Sequence, residues 1–336
     1  MDQIEKVIRE HLLPSSDILV QLGLFDFRLV SNVSDFSGQK YFSARSRRPY
    51  RAEKTDFELW CIATSKSKLD INSIIPFLDN SYRSKSFGNG YYVTDHFGSP
   101  LYLLTRENRY YVFGEELERI VWPYFIKHFL MLHTLRNDSL HLKAAACSIN
   151  SQATLLFGRG GAGKTVFLTE LCRNGAQFIT NSHSIIKEGK VYGVPSSIRV
   201  RSDFDKTYLA DIKKDSALQP GELIIDPYDI FSVDKENPPV VNICVLNYNK
   251  AGKNIIETLP EQEAYDYAEQ MSLAVNVYRL EEDLLDYCGG DCYQFSTAYH
   301  QMKANLRNLI HNSNCYYISC DILDPNNRNS ILTLLG

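Results

Sequence analysis

The sequence predicts two units, an α+β unit over residues 1–137 and an α/β layered unit over 138–336. Three observations carry that division. Short runs rich in Tyr, Phe, Val and Leu, separated by Gly, Ser, Asn and Asp clusters, fill the first part. Apolar strand-like runs interleaved with helical patterns fill the second. Between one such strand and one such helix lies a glycine turn, GRGGAGKT, at 158–165.

In the first unit, MDQIEKVIREHLL (1–13) has the spacing of a short amphipathic helix. The runs SDILVQLGLFDFRLVS, FELWCIA, GYYVTDHFG, PLYLLTR and RYYVFG follow, and their composition and punctuation suit antiparallel strands. ELERIVWPYFIKHFLMLHTLRND then has helical spacing, with Pro123 as a kink or restart. In the second unit LHLKAAACSI, ATLLFG and QFITN read as strands around the glycine turn. VVNICVLNYN (240–249) is nearly all apolar, as a buried central strand should be. Helical patterns occupy 164–174, 262–285 and 297–311; CYYISCDI is a further strand and NRNSILTLL a closing helix.

The bulk numbers bound the class. The 336 residues suffice for two domains of ~100–200 residues each. A composition of 44% hydrophobic, 23% charged and 12% aromatic residues is that of a globular protein with a sizeable core. The net charge of −4 draws the chain neither to nucleic acid nor to membrane. No run reaches the ~18 apolar residues of a membrane span, and the start lacks the pattern of a signal peptide. Together these lead to an expected cytoplasmic location.

Two stretches outside the turn invite a functional reading. CGGDC places Cys288 and Cys292 with three residues between them, where a zinc or redox pair prefers two, so a helix-breaking turn is the expectation. ARSRRPYRAEK carries Arg45, Arg47, Arg48, Arg51 and Lys54. It could grip phosphates or an acidic peptide, and it is expected to be a solvated loop, with nucleic acid not the expected partner.

The glycine turn fits G-x-x-x-x-G-K-[ST] at each fixed position, and its chemistry is specific. Backbone N–H groups can converge on phosphate oxygens only with dihedrals that glycine tolerates best. The following helix presents unpaired N–H groups and the positive end of its dipole. The expected nucleotide-binding residues are Gly158, Arg159, Gly160, Gly161, Ala162, Gly163, Lys164, Thr165 and Val166. Lys164 brings charge to the β- and γ-phosphates, and Thr165 offers its hydroxyl to Mg²⁺.

The wider stretch HLKAAACSINSQATLLFGRGGAGKTVFLTELCRNGAQFITNSHSIIKEGKVYGVPSSIRVR resembles HPr kinase/phosphorylase catalytic domains. It is closer still to their relatives in peptide-modification gene clusters, such as lasso-peptide precursor kinases. The resemblance spans about 138–336 and is strongest over 140–201. It rests on His141 before a small-residue strand, the phosphate loop, the helix ending in RNGA, and the segment GKVYGVPSSIRVR. It implies a C-terminal P-loop, HPr-kinase-like nucleotide-binding domain, with the α+β domain recognising a partner or substrate.

The family carries two aspartates after the next strand, implicated in handling the substrate proton and in organising metal and phosphate. Those positions here are Asn181 and Ser182, so both carboxylates are missing. Neither an amide nor a serine hydroxyl accepts a proton near pH 7. His183 is adjacent, and an unperturbed pKa of ~6.5 would let it act as base; His141 is the other candidate. A lone histidine is more often a hydrogen-bonded structural residue than a base, and that is the alternative for each. Arg199 and Arg201 alternate on SIRVR and share one face of a strand; the resemblance implies a role toward substrate or phosphate, and surface arginines on an edge strand are the alternative. Asp226 ends ELIID as a metal-organising carboxylate might, although DPYD is also a good turn.

Three functions follow as expectations. The first is an ATP-dependent kinase that phosphorylates a Ser or other hydroxyl of a peptide or protein, with ATP or GTP and Mg²⁺ as cofactors; the resemblance suggests peptide natural-product maturation. The second is a catalytically degenerate nucleotide-binding subunit or scaffold. The third, a nucleic-acid-directed ATPase, has only the basic run in its favour. A homo-oligomeric state stays open.

Overall fold

The computed structural model describes residues 5, 6, 8, 12, 14–67, 70, 101–200, 223–250 and 252–336. It has a mixed α/β fold with several sheets and helices. The chain divides into two compact units, Met1–Phe129 and Leu130–Gly336.

The first unit is built on one six-stranded sheet: β1 (Ser16–Gln21), β2 (Asp26–Ser31), β3 (Arg47–Pro49), β4 (Phe57–Ala63), β5 (Tyr102–Arg106) and β6 (Arg109–Gly114), in the order β3-β1-β2-β4-β6-β5. The run expected as one strand folds into the β1–β2 hairpin, turning through Gly23. The all-antiparallel expectation is wrong here, because β2–β4 and β4–β6 pair in parallel. Long connections separate each parallel pair, and that leaves their direction open to crossover rather than hairpin geometry. One face buries Val30, Trp60, Ile62, Leu104, Tyr111 and Phe113 with Ile8 and Leu12. Most of the helix expected at 1–13, and the strand expected at 90–98, lie outside the described residues.

The basic run is the expected loop over residues 50–54, where Arg51 and Lys54 are exposed, but not throughout. Arg47 and Arg48 belong to β3, which pairs with β1 at the edge of the sheet. Arg48 is ion-paired with Glu53, so part of its charge is already matched. Around Pro123 the helix is irregular as expected. Glu118–Ile120 leads into a π-helical run, Val121–Ile126, before α1 (Lys127–Arg136).

The second unit has a layered core. After β7 (Leu140–Leu142) come β8 (Ala145–Ile149), β9 (Gln152–Phe157), α2 (Lys164–Arg173) and β10 (Gln177–Thr180). Then follow β11 (Ser184–Lys187), β12 (Lys190–Gly193), β13 (Ile198–Val200), β14 (Leu223–Ile225) and β15 (Val240–Tyr248). The last part holds β16 (Ile255–Thr258), α3 (Glu261–Met271), α4 (Ala274–Val277), α5 (Glu281–Tyr287), α6 (Cys292–His311), β17 (Asn314–Cys320) and α7 (Pro325–Leu335). The main sheet runs β10-β8-β9-β15-β17-β16, with β9, β15 and β17 parallel. Phe167, Leu168 and Leu171 of α2 pack with Cys244, Leu246, Ile318 and the α7 residues Ile331 and Leu335. Ile243 and Val245, which alternate with Cys244 and Leu246 and so face the opposite side, are buried too, and that is why β15 reads as a continuous apolar run.

Two expected elements are broken. LHLKAAACSI forms β7 and β8, which join different sheets; β7 lies in the small sheet β12-β11-β7. The helical pattern at 262–285 becomes α3, α4 and α5. Both breaks have a common cause: the Lys143 amide donates to the Ser272 carbonyl at 2.7 Å, and Leu142 bridges Leu273. The backbone groups that would have continued each element are bonded to each other instead.

Candidate functional site

β9 delivers the chain to the glycine turn at the carboxyl end of the parallel strands. Gly161 and Gly163 have φ of +83° and +87°, a region that costs an L-residue ~1–2 kcal/mol. At Gly163 a Cβ would also lie 2.4 Å from Cβ of Tyr248, so no other residue fits without moving β15. The Tyr248 amide donates to the Ala162 carbonyl at 2.9 Å and pins the turn to that strand. The Arg159 amide donates to the Tyr267 hydroxyl at 3.1 Å and holds the outer limb.

α2 begins at Lys164, and its cap residue Gly163 supplies no side-chain hydrogen bond. A helix start without a side-chain cap presents N–H groups and positive potential to an anion. Lys164 folds back over the turn, donating to the Gly158 carbonyl at 2.5 Å and the Arg159 carbonyl at 3.2 Å. Burial, with the nearby Lys143 adding repulsion, lowers its pKa from the ordinary 10.5 to about 8. Thr165 Oγ1 donates to Asn181 Oδ1 at 3.1 Å. The structure therefore brings Asn181 to the turn, with Ser182 directly after it.

His141 and His183 also come together. Nε2 of His141 and Nδ1 of His183 are 3.0 Å apart, and the side chains are 5% and 1% exposed. Tyr278 packs on both rings, at 5.8 and 5.4 Å between centroids, and burial raises its pKa. Each histidine is thus a hydrogen-bonded part of the core. Arg199 lies in β13 opposite Ile224, while Arg201 is outside the described residues. Asp226 accepts from the Tyr228 amide at 3.1 Å and starts the 3₁₀ turn Pro227–Asp229. Cys288 and Cys292 flank a two-glycine connection from α5 to α6, and Asp291 there caps α6 through the amides of Tyr293 and Gln294.

Three residues at this edge escaped the sequence reading. Lys143 leaves β7 toward the turn, half-buried, with its pKa lowered by burial and its Nζ 5.9 Å from the Tyr278 ring. Its signal was visible: it is the one lysine in LHLKAAACSI. Tyr248, whose Cβ meets Gly163, is pushed up to about 12, first by burial and then by the nearby Asp321 carboxylate. No local pattern marks Tyr248 or Tyr267, because long-range packing places them.

For Mg²⁺ the donor set is thin. Thr165 and Asn181 offer neutral oxygens that already bond each other, and among the described residues no group of three or more His, Cys, Asp or Glu could hold a metal. Mg²⁺ prefers one or two carboxylates beside phosphate oxygens. These residues do not fit a protein-held divalent ion.

No protein-family model matches the chain, and no curated protein matches its sequence. Among the described residues no helix is long and apolar enough to cross a membrane.

Proposed function

We propose that the chain is an HPr-kinase-like protein that binds a nucleoside triphosphate, ATP or GTP, on residues 158–166 and transfers the terminal phosphate to a Ser or other hydroxyl of a peptide or protein. The observation that carries this reading is the turn itself. Two left-handed glycines, a helix start without a side-chain cap and a lysine folded over the cradle converge on one small volume. Phosphoryl transfer asks the protein mainly for positioning and charge stabilisation, which backbone N–H groups and lysines can give. The acceptor oxygen would bond the γ-phosphorus as the bond to the β–γ bridging oxygen breaks, releasing the diphosphate.

A second reading is favoured by one observation. The acceptor's proton has no carboxylate at positions 181 and 182, and His183 is only 1% exposed. On that reading the chain binds ATP or GTP as a switching or structural ligand without transfer. The deciding experiment incubates the full chain with ATP labelled in the γ-phosphate and a library of serine-containing peptides. Label on peptide supports the kinase; bound nucleotide with no labelled peptide and no released phosphate supports the binding subunit.

A further inference from the structure

Resting on the nucleotide-binding reading, the sheet register adds a residue to the site. Ala145 of β8 pairs with Leu156 of β9. Lys143 precedes Ala145 by two residues and Gly158 follows Leu156 by two, so both stand at the same end of the sheet. On the other side of β8, Ala146 pairs with Thr180 of β10, so Asn181 and Ser182 leave the sheet at the same end. Lys143 therefore stands at the same end of the sheet as the phosphate cradle and the segment joined to it by the Thr165–Asn181 hydrogen bond. Its ammonium lies 5.9 Å from the centre of the Tyr278 ring, which packs on the two histidines.

Charge at this place is unbalanced. Among the described residues neither Lys143 nor Lys164 has an Asp or Glu ion-pair partner. Each ammonium is partly desolvated, and the two repel each other. Two close, partly buried cations without a counter-charge are costly unless an anion joins them. Among the described residues, the oxygens this place supplies for a divalent ion are the neutral ones of Thr165 and Asn181. A site with two ammonium groups and no carboxylate complements a triphosphate directly, where a site with carboxylates needs a metal ion to bridge like charges.

We propose that Lys143 is a second phosphate-binding cation of the nucleotide site and that, with Lys164, it lets this chain hold a nucleoside triphosphate with little dependence on Mg²⁺. Lys143 binds the phosphate oxygens farthest from the sugar, on the side facing Asn181 and Ser182. Asn181 and Ser182, which carry no charge, and the second lysine are then two parts of one charge balance.

The test is calorimetric titration of ATP into the full chain, once with excess Mg²⁺ and once with excess EDTA, for wild type, Lys143→Met and Lys143→Arg. Wild type should bind in both conditions with affinities within about tenfold, a difference of ~1.4 kcal/mol. Lys143→Met should weaken metal-free binding by roughly 10–100-fold, the worth of a charged hydrogen bond, and lose less when Mg²⁺ is present. Lys143→Arg should retain most of the metal-free affinity. Methionine keeps the apolar stem and removes a desolvated charge, so its melting temperature should not fall. Wild-type binding that needs Mg²⁺, or metal-free binding indifferent to Lys143→Met, overturns the proposal and leaves the nucleotide reading standing. Absence of ATP binding in both conditions overturns the two together. The wild-type comparison decides even if a variant folds poorly.

Discussion

At the scale of single residues, the turn makes its demands through Gly163. A left-handed φ and a Cβ position 2.4 Å from Tyr248 Cβ act together there. Gly163→Ala should cost about 2–4 kcal/mol in urea unfolding, more than the ~1–2 kcal/mol of the dihedral alone. Gly160 has no neighbour within 4 Å and no left-handed φ, so Gly160→Ala should stay within ~0.5 kcal/mol of wild type. Equal costs at the two positions would mean that the turn is not held against β15.

Lys164 gives a prediction in pH. Its pKa in the folded chain, about 8, lies below the ordinary 10.5 because of burial and Lys143. Between those values the unfolded chain binds the extra proton, so this group makes the nucleotide-free protein more stable as pH rises from about 8 to 10.5. The full span is on the order of 3 kcal/mol at low pH as a penalty, removed when the lysine is neutral. A triphosphate reverses the preference by favouring the charged amine. ATP binding should therefore take up a proton at pH 9, seen as a buffer-dependent heat, and weaken as pH rises above 8. Melting curves of wild type and Lys164→Met across pH 7–10 read the first effect: the variant should be flat where wild type climbs.

At the scale of elements, α2 is the lever between the turn and the rest of its unit. Glu170 on α2 bonds Arg328 on α7 at 2.9 Å, with the two side chains 6% and 20% exposed. Removing one partner leaves the other charge poorly solvated, so Glu170→Ala should cost about 2–4 kcal/mol by denaturant titration. A change under ~0.5 kcal/mol would show a solvent-like pair. This scale also separates what sequence can carry from what it cannot. Strand, turn and α2 were legible because apolar spacing, glycines and the Gly-Lys-Thr end are local signals. The parallel pairing of β2, β4 and β6 was not, since the choice of neighbour is made across long connections. Nor was the break between α3 and α4, where apolar spacing continues but Ser272 and Leu273 bond to residues around Lys143. The pairing of His141 with His183 is of the same kind: each was a candidate alone, and only β7 beside β11 brings them together.

At the scale of the whole molecule, the division at Phe129 and Leu130 gives the second unit a core of its own. All residues proposed to touch nucleotide lie within it. A fragment of residues 130–336 should fold cooperatively and keep ATP affinity within about threefold of the full chain. A fragment that is unfolded by circular dichroism would show that the two units depend on each other for stability.

The central claim is that the turn from Gly158 to Thr165 holds a triphosphate, and one titration tests it most directly. ATP is titrated into the full-length wild type and Lys164→Met at pH 7, with melting temperatures taken on the same samples. The expected result is saturable one-to-one binding to wild type and a loss of roughly 100-fold in the variant, with a melting temperature no lower than that of wild type. Equal affinity in the two proteins, or no binding to a folded wild type, would contradict it.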